Sequence, residues 1–230
     1  MWSERLGRRI EGDEVFVYCF AILGSTPFHD SLQSRARHAG RSRASHSAPD
    51  LFEAAVELGR RLVWLQTFGT RFTSADRPAS TVPPGRARCT QPVSEDAEQY
   101  PDTATYDPQT LRLSVGTGVF EPVAPEVYNF EVSGYSVVRS WLAYRSKEGS
   151  GKRSSELDTI RPTRWPAAFT HELLELLWVM EHSVTGFAED SRLLDQVLEG
   201  PSLGASALPP VPAEYRSAGQ ALPLFNDDDQ

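Results

Sequence analysis

Between residues 139 and 164 the chain gathers Arg139, Arg145, Lys147, Lys152, Arg153, Arg161 and Arg164, with the hydroxyls of Ser154 and Ser155 among them. These cations outnumber the intervening acids Glu148, Glu156 and Asp158. Glycines and serines interleaved with lysine and arginine supply backbone N–H groups, hydroxyls and positive charge together, which is the chemistry that grips phosphate. A planar guanidinium can also engage two acceptors of guanine at once, so the arginines suit base readout, while the lysines and serines suit positioning on phosphate. A solvated basic loop has the same composition, and composition alone favours that plainer reading.

Two helix signals must hold this segment. The first opens at Ser133-Gly134, after which Val137, Val138, Trp141 and Leu142 form one apolar stripe, with Arg139 and Arg145 off it and Tyr144 at its border. Gly149, Ser150 and Gly151 stop that helix and open a loop from Lys147 to Ile160. The second signal has Thr170 as N-cap, with Phe169 and Leu174 placed for a hydrophobic staple. From Leu173 to Val184 it is apolar on most sides, through Leu174, Leu176, Leu177, Trp178 and Met180, which predicts a helix buried at the centre of the fold.

The string SGYSVVRSWLAYRSKEGSGKRSSELDTIRPTRWPAAFTHELLELLWVME resembles the C-terminal specificity domain of type ISP restriction–modification enzymes. Weaker echoes run backwards through YDPQTLRLSVGTGVFEPVAPEVYNFEVSG, EAAVELGRRLVWLQTFGTRF and DEVFVYCFAIL, so the resemblance covers most of the chain to about Val184. Members of that family are large single-chain proteins with a nuclease, a translocase, an adenine methyltransferase and a target-recognition domain. The resemblance implies a module that recognises double-stranded DNA and whose catalytic partners, a methyltransferase and a translocase, are encoded elsewhere or have been lost. S-adenosylmethionine and ATP would then belong to family domains absent from this chain. The resemblance assigns no individual role to the cations; those roles are read from residue chemistry.

Catalytic chemistry is not legible. A methyltransferase of this lineage needs a Gly-rich cofactor loop and an Asn/Asp-Pro-Pro-aromatic tetrapeptide. Val82-Pro83-Pro84-Gly85 lacks the acid or amide, and Gly116-Thr117-Gly118 lacks the strand-to-helix setting of a nucleotide loop. There is no P-loop lysine motif, and His29, His38, His46, His171 and His182 show no metal spacing. His171 and His182 lie on or beside the buried helix, where a satisfied structural histidine is the expectation. Glu172, Glu175 and Glu181 read as its solvent edge. No catalysis by this chain alone is expected, nor any cofactor or metal on it.

The 230 residues suffice for one sizeable domain or two small ones. Cys19 and Cys89 have no metal or redox spacing, so a reducing compartment is the default. The apolar run from Val15 to Leu23 is too short to span a bilayer and follows acids rather than a basic stretch, so neither a membrane anchor nor a signal peptide is expected, and the protein reads as cytoplasmic. The net charge of −8 argues against a generic nucleic-acid coat. Acids cluster at Glu95 to Asp102 and Asp227 to Asp229, however, away from the basic segment, which is compatible with DNA held on one face.

In chain order, Asp13 can cap a helix through Gly24, with Phe16, Cys19, Ile22 and Leu23 at helical spacing. Residues 31–49, rich in arginine and serine, read as a disordered basic insert. Asp50 and Glu53 resemble a capping box for a helix from Leu51 to Phe68, with Leu51, Ala55, Leu58, Leu62 and Leu65 on one face and Gly69 at its end. Residues 1–72 thus form an N-terminal helical part, and residues 73–100 a linker or loop. Residues 101–200 form the specificity core. There Leu111, Leu113 and Val115 alternate along a strand, Gly116-Thr117-Gly118 turns, and Val119-Phe120 opens a partner that Pro122 and Pro125 keep short or at an edge. Val127 to Val132 is a possible third strand, and Asp190 to Leu198 a separate short helix. Residues 201–230 read as a disordered Pro-rich and acidic tail. The expected class is α+β, a helix-rich recognition domain with a small antiparallel sheet. A decayed remnant or a protein-interaction module without DNA affinity is the rival reading.

Overall fold

In the computed structural model, residues 7–23, 49–132, 134–147 and 164–199 are described. The class is α+β, helix-rich with small antiparallel sheets. Helix α1 (Gly12–Leu23) packs on α2 (Pro49–Gln66). The face α1 buries is Glu14, Val17, Tyr18, Ala21 and Ile22. The sequence stripe through Phe16 and Cys19 is therefore corrected: Phe16 is 51% exposed and Cys19 is exposed. The reason lies across the interface. Gly59 of α2 has no side chain, so the Val17 carbonyl comes against it, and Tyr18 stacks on Phe52 with ring centroids 5.1 Å apart.

The Asp50–Glu53 capping box does not form either. Asp50 lies in the first helical turn, and the Glu53 carboxylate accepts from Arg8 at 2.6 Å. Arg8 also grips Glu14 with two hydrogen bonds, 2.7 and 3.0 Å long. Those bonds, and one from the Glu11 backbone N–H, hold the Glu14 carboxyl down at about 2 from an ordinary 4.5. Gly69 closes α2 as expected. Its φ of +72° sends its N–H back to the Trp64 carbonyl at 2.9 Å, and a Cβ there would meet Thr81 backbone at 2.6 Å.

The four-stranded sheet has the order β1-β4-β3-β2, from β1 (Arg88–Gln91), β2 (Ala104–Asp107), β3 (Arg112–Val115) and β4 (Gly118–Glu121). Leu113, Val115 and Phe120 are fully buried on one face, as the alternation requires. β4 is interior rather than an edge, because β1 pairs along its free side before Pro122 ends it. β1 comes from the stretch read as linker. Val82, Ala87, Val93 and Tyr100 of that stretch are buried, but they are isolated among Pro, Ser and charge, so they make no periodic pattern.

Pro125 starts a helical turn, α3 (Pro125–Tyr128), with Val127 buried beneath it. Only Glu131–Val132 of the expected third strand is extended, as β5, pairing with β6 (Tyr135–Ser136). Helix α4 (Val137–Tyr144) follows, burying Val138 and Leu142.

Helix α5 (Ala167–Glu199) is one element of 33 residues, about 50 Å long. It begins before Thr170, which lies inside the first turn instead of capping it. The expected separate helix at 190–198 is its continuation: Thr185 and Gly186 do not break it, and the Thr185 hydroxyl bonds the Glu181 carbonyl at 2.7 Å. Its first half buries Leu173, Leu176, Leu177, Val179 and Met180 against the sheet, α3 and α4. Further on, Leu193 and Val197 join the α1–α2 cluster around Val17, Phe52 and Val56. Among the described residues no helix is long and apolar enough to cross a membrane.

Two outcomes test this packing. Gly59→Ala pushes α1 and α2 apart and should destabilise by about 1–3 kcal/mol in chemical denaturation. Glu14→Gln should destabilise by on the order of 2 kcal/mol at neutral pH. A carboxyl depressed in the folded state contributes fully above its unfolded value and loses that contribution as pH falls through its folded one. Wild type and variant should therefore converge between roughly pH 5 and 2, read from denaturation midpoints against pH.

Candidate functional site

Trp165 is fully buried, and its ring meets Phe169 edge-on at 5.4 Å, Trp141 edge-on at 6.2 Å and Tyr100 at 6.5 Å. Its indole N–H donates to the Thr170 hydroxyl at 3.0 Å, which gives Thr170 its place in the turn. Arg145 lies over this cluster, with its guanidinium carbon 3.9 Å from the Trp141 centroid and 4.9 Å from that of Phe169. The Tyr100 hydroxyl donates to the Arg145 carbonyl at 2.6 Å, and the Lys147 N–H donates to the Pro101 carbonyl at 3.0 Å. Lys147 and Arg164, the described residues that flank 148–163, thus both stem from one aromatic cluster.

The four described candidate cations are not equivalent. Arg145 donates to Glu172 at 3.3 Å, and its Nε is buried with no hydrogen-bond partner among the described residues. Lying against two rings that meet edge-on, it is committed to packing. Lys147 pairs with Asp102 at 3.3 Å, but both are exposed, and such a pair is worth little and exchanges readily for another anion. Arg139 is exposed and donates to the Ser136 hydroxyl at 2.6 Å; Arg164 is exposed. Neither makes an ion pair among the described residues. Lys152, Arg153, Ser154, Ser155 and Arg161 lie outside the described residues.

Glu181 is a tertiary residue that sequence reasoning placed at the solvent edge. Its carboxylate accepts from the backbone N–H groups of Arg86 and Ala87, the latter at 3.1 Å. Beside it on α5, the Trp178 indole donates to the Ala87 carbonyl at 2.9 Å, and His182 Nε2 bonds the Pro83 carbonyl at 2.9 Å. Residues 178, 181 and 182 share one helical face, and that spacing is the signal that could have found them. Together they fix the strap leading into β1. A cleft of about 420 Å³ opens beside it, lined by Pro84, Leu111, Pro122 and Val127. The Glu181 carboxylate and the His182 ring at its wall are taken up by the strap, so they do not form an acid–base pair aimed into the space. Burial pushes the Cys89 thiol up, away from thiolate chemistry. Among the described residues no group of three or more His, Cys, Asp or Glu could hold a metal ion.

The division between committed and available cations can be measured. Arg145→Leu should destabilise by about 1–2 kcal/mol in denaturant and shift the tryptophan emission. Arg139→Gln should change stability by less than about 0.5 kcal/mol.

No curated protein and no solved structure matches this chain. Residues 2–176 match the family described as the type ISP C-terminal specificity domain. That match begins ahead of α1 and runs through α2, β1–β6, α4 and the first part of α5, and so covers the aromatic cluster and every candidate cation. The chain belongs to the type ISP C-terminal specificity domain family.

Proposed function

We propose that this chain is the DNA-sequence recognition module of a type ISP-like restriction–modification system. It holds duplex DNA in position for the methyltransferase and translocase of that system, and these 230 residues carry out no catalysis themselves. Family membership is the observation that carries this reading. The aromatic cluster supports it: Lys147 and Arg164 emerge from a rigid base, and Arg139 and Arg164 carry charge that no carboxylate among the described residues neutralises. On this reading Arg139 and Arg164, with Arg161, serve base readout or phosphate contact. Lys147, Lys152, Arg153, Ser154 and Ser155 serve phosphate positioning, and Arg145 acts by holding the base of the segment. The specificity core of residues 101–200 is the part that faces DNA.

A second reading, an interaction module without DNA affinity, draws on the net charge of −8. Titrating a labelled duplex across a salt series separates the two. DNA recognition requires binding that tightens as salt falls, with Lys152→Gln lowering the log–log slope by about 1, and with Arg139→Gln and Arg164→Gln either doing the same or relaxing preference at one base pair. An affinity indifferent to salt and to these substitutions leaves the interaction module.

A further inference from the structure

β5 and β6 form a hairpin in which two exposed apolar side chains face each other. Val132 pairs in register with Tyr135, and the two are 54% and 50% exposed. Residues directly opposite in an antiparallel pair project to the same side, so valine and tyrosine make one small apolar tip. Glu131 and Ser136, the next pair down, project to the other side. The valine and tyrosine carry no charge, and the nearest carboxylate is that of Glu131 on the other side, 3.9 Å from where a Cβ on Gly134 would lie.

The hairpin is well fastened. The Val137 N–H donates to the Phe130 carbonyl at 3.0 Å, joining the hairpin base to the start of α4. Gly134, at a φ of +80°, takes the backbone through the turn. Arg139 reaches back from α4 to the Ser136 hydroxyl, which sets a guanidinium beside the hairpin base. At the other end of α4, the Lys147 ammonium pairs, among the described residues, with the exposed Asp102. α4 has eight residues and is about 12 Å long, close to the width of a major groove. A duplex met at the tip thus meets Arg139 at the near end of α4, with Lys147 at its far end.

We propose that the Val132–Tyr135 tip is a base-contacting element for duplex DNA, apolar against base edges or faces, with Arg139 on the adjoining backbone. This rests on the DNA-recognition reading and adds residues that the basic segment does not contain. An uncharged contact of this kind contributes to affinity and sequence preference without releasing counterions, so it leaves a distinct signature.

The test is selection from a pool of randomised duplexes, followed by salt-dependent titration of the enriched duplex, with the full chain as wild type, Val132→Ser, Tyr135→Ala and Tyr135→Phe. Both positions are half exposed, so the variants should melt like wild type. The expected result for Tyr135→Ala and Val132→Ser is lost preference at one base step and affinity lowered roughly five- to a hundredfold, with the salt slope unchanged. Tyr135→Phe keeps the ring and should keep the preference. If wild type enriches a motif, and Val132→Ser and Tyr135→Ala enrich the same motif with the same affinity, the tip is not a base contact, whatever else it binds. If wild type binds duplex in a salt-dependent way but enriches no motif, the tip is not a base contact; if it also binds no duplex in that way, the DNA-recognition reading itself falls, and this inference with it.

Discussion

Burial of the Trp165 ring is the contact on which the surface around residues 139–164 depends. A tryptophan just ahead of a helix could lie over the surface, and here it is drawn fully inside because three other rings and one hydroxyl receive it. The edge-on arrangements with Trp141 and Phe169 are those the ring quadrupoles favour, and the Thr170 hydroxyl spares the indole N–H from burial without a partner. The same ring of Trp141 carries the Arg145 cation on its face. A charge that composition would assign to solvent is thereby used as mortar, joining the end of α4 to the beginning of α5.

The second constraint is the surface of α5. One face is apolar and takes the sheet and α3, and an adjoining row places an indole, a carboxylate and an imidazole against the backbone of residues 83–87. Irregular backbone at a core needs partners for its N–H and C=O groups, and side chains supply them here where no strand is available. The strap can then deliver β1 to the free side of β4, completing a sheet whose interior strand would otherwise be an edge.

Legibility in the sequence followed the strength of local periodicity. α2, the β3–β4 hairpin and the buried first half of α5 stand out because their apolar residues recur at the period of the element they form. β1 has no such rhythm; it exists because Cys89 and its neighbours find β4 and α5, contacts far away in sequence. The inward face of α1 was misread for a related reason. Phe16 is the larger side chain, but the missing side chain of Gly59 decides which side of α1 can come close. At the candidate site, sequence identified the cations and not their duties. Arg139 and Arg145 look alike in a string, and it is the Trp141 and Phe169 rings against the second one that distinguish them.

The length of α5 bears on how the protein comes apart. A rod that lends Leu177 to one apolar cluster and Val197 to the other leaves neither cluster a complete wall of its own. Loss of order in either half strips a face from the helix that the other half is built on, so the two clusters are thermodynamically linked through a shared structural member. Hydrogen-exchange protection along the rod would then rise and fall together, and the surface bearing the cations would share its lifetime with the α1–α2 pair.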